Sequence, residues 1–203
     1  MRDVAFRQQV FTTLLLLIVT FGLWFAAEPL IAGPAKWLSR IMLTLWLPDI
    51  INGVVFEPGG LLVVTQFAEN NGIFTLAQNG EEGLAIRLNT RLVSYSIPFY
   101  AALLWGSRIE SPFNTFAWGL FVLWVAMGLG LSAMAAKDLM LVIGTPFLSG
   151  PWVPPAALIA VSYQFSVLLM PTLAPVLLWV FQLRGSPLWN RLEAQLESSR
   201  SRE

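Results

Sequence analysis

The chain has 203 residues, of which 56% are hydrophobic and only 12% charged, and its 12 basic and 12 acidic side chains balance to zero. A soluble domain carries about 25% charged residues, and one this apolar would leave large greasy patches in water; a bilayer removes that conflict, and nine Trp suit its two interfaces. The neutral balance leaves no basic stripe for nucleic acid, the lack of Cys removes disulfides and thiol nucleophiles, and the lack of His removes the commonest general base and metal ligand.

Charge-free runs measure the spans, because crossing the hydrocarbon core takes about 20 apolar helical residues. The run between Arg7 and Glu28 contains Leu14-Leu15-Leu16-Leu17-Ile18-Val19 and predicts a first transmembrane helix over 10–27. A cleaved signal peptide is the rival reading, weakened by an over-long apolar region and the lack of a clean A-x-A site. Residues 28–88 form an extramembrane segment that opens with Pro29 and Gly33-Pro34. Over 36–47, Trp37, Ile41, Leu45 and Trp46 alternate with Lys36, Ser39, Arg40 and Thr44 at helical spacing. Both a helix lying on the membrane surface and one packed on the small domain fit this pattern. From Gly53 the runs are short and β-rich, at 54–57, 61–67, 73–76 and 84–88, with Pro58-Gly59-Gly60, Asn70-Asn71-Gly72 and Asn79-Gly80-Glu81-Glu82-Gly83 between them. Such punctuation predicts a four-stranded antiparallel meander over 53–88.

A second transmembrane helix is expected over 89–107, starting near Leu88, with Arg91 snorkelling to the interface and Pro98 kinking it. A third is expected over 113–134. The uncharged run from Leu139 to Leu183 is too long for one helix and is interrupted by Gly150-Pro151 and Pro154-Pro155. It divides into an interfacial or re-entrant segment, 139–155, and a fourth transmembrane helix, 156–183, kinked near Pro171 and Pro175. In the tail, 184–203, Leu188, Leu192 and Leu196 fit either an amphipathic helix or a solvated tail. The fold class is therefore an α+β integral membrane protein with four transmembrane helices and a small antiparallel β-sheet domain on the non-cytoplasmic side. Four spans put both termini on one face with Arg2, Arg7, Arg108, Arg184, Arg191, Arg200 and Arg202. The other face holds Lys36, Arg40, Arg87, Arg91 and Lys137 in a longer stretch, so the termini are expected in the cytoplasm.

No catalytic residues, cofactor site or metal site emerge. The span centres carry no ionisable residue, Glu81-Glu82 sits in a turn, and no P-loop or nucleophile-elbow motif is present. The spans instead carry neutral polar clusters, Ser94-Tyr95-Ser96 with Tyr100 and Ser162-Tyr163-Gln164 with Ser166. These either tie the second span to the fourth or receive a partner helix. Ala126/Gly130 and Gly128/Ser132 add four-residue small spacings for close helix contact.

The stretch Asn89-Thr90-Arg91-Leu92-Val93-Ser94-Tyr95-Ser96-Ile97-Pro98-Phe99-Tyr100 resembles the entry into the second span of exosortase H-associated membrane proteins. Ser162-Tyr163-Gln164-Phe165, Leu169-Met170-Pro171 and Pro175-Val176-Leu177-Leu178-Trp179 resemble that family's last span. The resemblance carries over Asn89, Tyr95, Pro98, Tyr163, Gln164 and Pro171, and with Arg91 these are the candidates for partner or helix packing. It implies a bacterial inner membrane and a non-enzymatic accessory subunit of an exosortase-type protein-sorting system. The expected partners are the exosortase-type membrane protein and the lipid bilayer. The alternative is a subunit of an envelope transporter or polysaccharide export complex, suggested by the kinked spans and the segment 139–155.

Overall fold

Apolar runs with no charge to solvate fold into helices whose backbone polar groups are satisfied internally. In the computed structural model, which describes residues 2–70, 73–77, 83–107 and 111–184, these runs become α1 (Arg2–Ile31), α5 (Pro112–Val142) and a last helical stretch. That stretch is α7 (Ala156–Gln164), a π segment (Phe165–Leu169) and α8 (Met170–Leu183). The segments Val10–Ile31, Pro112–Val142 and Ala156–Leu183 are long and apolar enough to cross a membrane. The remaining elements are α2 (Gly33–Trp46), β1 (Ile51–Glu57), β2 (Gly60–Thr65), β3 (Phe67–Asn70), β4 (Ile73–Leu76), β5 (Ala85–Asn89), α3 (Arg91–Ser94), α4 (Ser96–Gly106) and α6 (Thr145–Leu148). The architecture is α+β, with a small antiparallel sheet among apolar helices. The turn with Glu81-Glu82 and the tail with Leu188, Leu192 and Leu196 lie outside the described residues.

Two compact units divide the chain. One takes Met1–Ala26, Ser96–Leu123 and Thr172–Glu203; the other takes Ala27–Tyr95 and Trp124–Pro171. The chain passes from one unit to the other four times, at 26/27, 95/96, 123/124 and 171/172. Three of these passages fall inside α1, α5 and α8, and the other falls between α3 and α4.

In the first unit, α4 meets its neighbours through small residues and polar ties. A Cβ on Gly106 would lie 3.0 Å from the Thr13 Cβ, so only glycine permits this approach. Thr20 donates its hydroxyl to the Pro98 carbonyl at 3.0 Å, and Trp179 donates its indole N–H to the Ser107 hydroxyl at 2.6 Å. Tyr100 stacks on Phe116, and Trp105 tilts against the same ring at 4.8 Å.

In the second unit, the expected meander is corrected. β1 pairs β2 and β2 pairs β5, all antiparallel, while β3 and β4 form a separate two-stranded hairpin. The run expected at 61–67 breaks because Thr65 uses its own hydroxyl at the corner. Its Oγ1 bonds the Leu84 carbonyl at 3.0 Å and accepts the Phe67 N–H at 3.2 Å. A threonine that satisfies local backbone groups this way competes with the ladder. The Gln66 N–H turns instead to the Ile50 carbonyl at 2.8 Å, and the chain leaves for the second hairpin. Gly83 packs its Cα directly onto the Thr65 carbonyl, leaving no room for a side chain.

Further differences from expectation have local causes. Leu88 and Asn89 are strand, paired with Leu61 and Gly60, so the helical stretch begins at Arg91 rather than near Leu88. It breaks at Tyr95, not at Pro98: a proline clashes with the carbonyl four residues back, here Ser94, where α3 ends. α5 runs past the expected end at 134 to Val142, so 139–142 is helix. Lys137 and Asp138 pair with each other at 2.7 Å, and Lys137 lies 4.9 Å over the Tyr163 ring, so their charges do not end the helix. Before Pro171, the Met170 N–H reaches back to the Phe165 carbonyl, and the π turn widens the helix where proline cannot continue the normal ladder. α2 lies against β1, burying Ala35, Lys36, Ser39 and Leu43 and leaving Trp37 and Leu45 exposed.

Candidate functional site

The second unit contains a polar knot that the sequence reading did not single out. Glu28, near the end of α1, is fully buried, as is Thr90 at the turn between β5 and α3. Thr90 donates its hydroxyl to Glu28 Oε1 at 2.6 Å, while Glu28 Oε2 has no partner among the described residues. Lys36 on α2 is buried too and donates to the Glu57 carbonyl at 2.9 Å. The Glu57 carboxylate pairs with Arg87 at 2.9 Å. The turn that follows places Gly59 at φ +67°, and its carbonyl accepts the Thr90 N–H at 3.3 Å. The end of an apolar helix, an amphipathic helix and the central hairpin therefore meet in one set of polar contacts, in which Glu28, Thr90 and Lys36 are buried and Arg87 is exposed.

Burial pushes the Lys36 ammonium below the ordinary lysine range, and the negative charge of Glu28 partly restores it. A lowered folded-state pKa means that the cost of holding charged Lys36 is fully present at neutral pH. It fades as pH rises through the folded value towards the ordinary one. The stability of the native chain relative to Lys36→Met is therefore expected to rise through the alkaline range, measured as paired thermal melts from neutral pH upward. A difference that stays flat or shrinks contradicts it.

A groove of about 650 Å³ lies in the same unit. α2 contributes Met42, Leu45 and Trp46, and α5 contributes Leu129, Ser132, Ala133 and Ala136. Pro154, Leu158, Ile159, Ser162 and Ser166 complete it, so its lining carries no charge. At one end, Trp46 donates its indole N–H to the Trp152 carbonyl at 3.1 Å. Trp152 itself is 83% exposed and adopts φ +65°, a conformation that costs a bulky residue about 1 kcal/mol or more.

The expected candidates separate. Asn89 ends β5 and accepts the Arg91 N–H on Oδ1 at 3.0 Å, forming the entry into α3. Arg91 is exposed and packs its guanidinium beside Gly59. Tyr95 closes α3 and is half-buried. Pro98 is buried in the first unit. Tyr163 holds the Lys137 cation over its ring, Gln164 is exposed, and Pro171 is buried. The two stretches approach where α3 lies against the π segment, with Val93 and Ser166 both close to Gly130. Tyr100 does tie to the last helical stretch, but at Gln182 rather than at the cluster Ser162-Tyr163-Gln164 with Ser166. The Tyr100 hydroxyl bonds Gln182 Oε1 on α8, and the Gln182 amide donates to the Thr115 carbonyl at 3.2 Å.

Compared with known families, the model for exosortase H-associated membrane proteins matches residues 3–186. The chain belongs to that family. Neither the curated proteins nor the solved structures compared with it give a match. Three apolar helices and the family's description fit a multi-pass membrane protein associated with an exosortase. The family name describes association rather than catalysis.

Proposed function

We propose that the protein is a non-enzymatic accessory subunit of an exosortase-type protein-sorting system in a bacterial inner membrane. The family match over residues 3–186 carries this reading. In it, the protein binds the enzyme or its substrate through the sheet-bearing unit and the helix bundle. The chain has no Cys or His to act as nucleophile or base, so the chemistry belongs to the partner. α3 and α4 together serve as a fourth crossing. Both termini then face the cytoplasm and the sheet faces the periplasm, in accord with the distribution of arginines.

Affinity purification from native membranes in mild detergent tests the proposal. The expected result is co-purification of an exosortase, together with loss of sorting when the gene is deleted. If no exosortase comes down and sorting persists in the deletion strain, the reading fails.

A further inference from the structure

We propose that the uncharged groove of the second unit is a binding site for the acyl chains of a bilayer lipid. The lipid's ester region would lie level with Trp46 and Trp152. The inference does not depend on the identity of any protein partner.

Three observations identify lipid as the occupant. The two long walls of the groove are a segment of α5 and a segment running from α7 into the π turn, and both belong to stretches long and apolar enough to cross a membrane. Between Leu129 and Ala136 on one wall, and Leu158 and Ser166 on the other, the groove follows about 10–12 Å of helix. The medium that reaches a gap in such helices is hydrocarbon, and an unfilled gap would leave its lining without dispersion partners. The rim residues Leu45, Leu129 and Leu158 are exposed, while the floor residues Ser132, Ala136 and Ile159 are buried, so the groove opens outward onto that medium.

The second observation is size and chemistry. A volume of about 650 Å³ falls within the range of about 300–1,000 Å³ typical of sites for small apolar ligands. No charged side chain lines it.

The third is the tryptophan end. Trp152 precedes the start of α7 by four residues, so chain geometry keeps it near the level where that apolar stretch begins. Pro151, Pro154 and Pro155 stiffen the loop, and the Trp46 indole holds the Trp152 carbonyl. The Trp152 backbone thus holds a left-handed conformation, and its side chain is exposed rather than folded away. Indole rings favour the headgroup level of a bilayer, so this end of the groove is where a lipid's polar part belongs.

The test has two arms. In liposomes of phosphatidylethanolamine doped with a diazirine-bearing acyl analogue, photolabelling of the full chain is expected to concentrate on residues 129–136 and 158–166. Leu177 and Phe181, exposed on α8, report the background of casual lipid contact. In mild detergent, Ala133→Phe is expected to reduce retained phospholipid about tenfold, the factor given by losing about 1.4 kcal/mol of binding. Ser162→Leu fills the opposite wall and is expected to act in the same direction, which guards against one variant failing to fold. Labelling no denser in the groove than on α8 overturns the proposal. So does unchanged lipid in two folded variants. Unchanged lipid with loss of a co-purifying membrane protein would instead give the groove to a partner helix.

Discussion

Replacing Glu28 by alanine is expected to lower the unfolding free energy by about 3 kcal/mol or more. The carboxylate is fully buried and takes the Thr90 hydroxyl at 2.6 Å, a bond that joins the end of α1 to the turn entering α3. Hydrogen bonds to charged groups contribute about 1.5–3 kcal/mol, and leaving their partner stranded adds its desolvation cost. The change also removes the negative charge that partly supports buried Lys36. Lys36→Met should therefore cost less in the Glu28→Ala background than in the native chain, with a coupling of about 1 kcal/mol. Thr90→Val is expected to cost about 1–2 kcal/mol, and Thr90→Ser to recover most of it, because serine keeps the donor. Unfolding in mixed micelles followed by tryptophan fluorescence measures the native chain and the five variants. Strict additivity of the Glu28 and Lys36 changes would show that the two charges do not support each other.

Gly119→Ala is the second large expected effect, about 1–3 kcal/mol of destabilisation from overpacking. A Cβ at this position would collide with the Tyr100 hydroxyl and ring carbons. The tyrosine could not move without releasing Gln182 on α8 and its stack on Phe116. Tyr100→Phe separates the polar part of the loss from the steric part. It keeps the ring stack and removes the hydroxyl, and is expected to cost about 1 kcal/mol. Gly22→Ala is the matched control, since a Cβ there meets nothing within 4 Å. Should Gly119→Ala melt with Gly22→Ala, the close approach of α4 to α5 is not a constraint on the fold.

Much of the helical architecture was legible because hydrophobic length is a one-dimensional property. A run of uncharged residues reports its own span, and α1, α5 and the stretch from α7 to α8 follow from counting. What sequence spacing concealed depended on side chains reaching across the chain. The sheet divides at Thr65 because its hydroxyl reaches Leu84, a partner 19 residues away. α5 outruns its expected end because Lys137 and Asp138 neutralise each other and Tyr163 covers the cation. Glu28 was passed over because a carboxylate closing an apolar run reads as a solvated boundary. One signal was available. Glu28, Ala32, Ala35, Lys36, Ser39 and Leu43 recur at helical spacing and are all buried, so the inward face of α2 extends back through Ala32 to the glutamate.

The fourfold passage of the chain between its two units bears on how the molecule is made. Neither unit is an unbroken stretch of sequence: the first combines segments from the start, middle and end of the chain. α1 and α4 are synthesised well before α8, yet the Gln182 amide that secures Tyr100 resides on α8. Domain-by-domain folding during synthesis, the usual route for longer chains, is open to the second unit, complete by Pro171, and closed to the first until the segment from Thr172 is made. A chain released before α8 is complete would lack the bond from Tyr100 to Gln182 that joins α4 to α8.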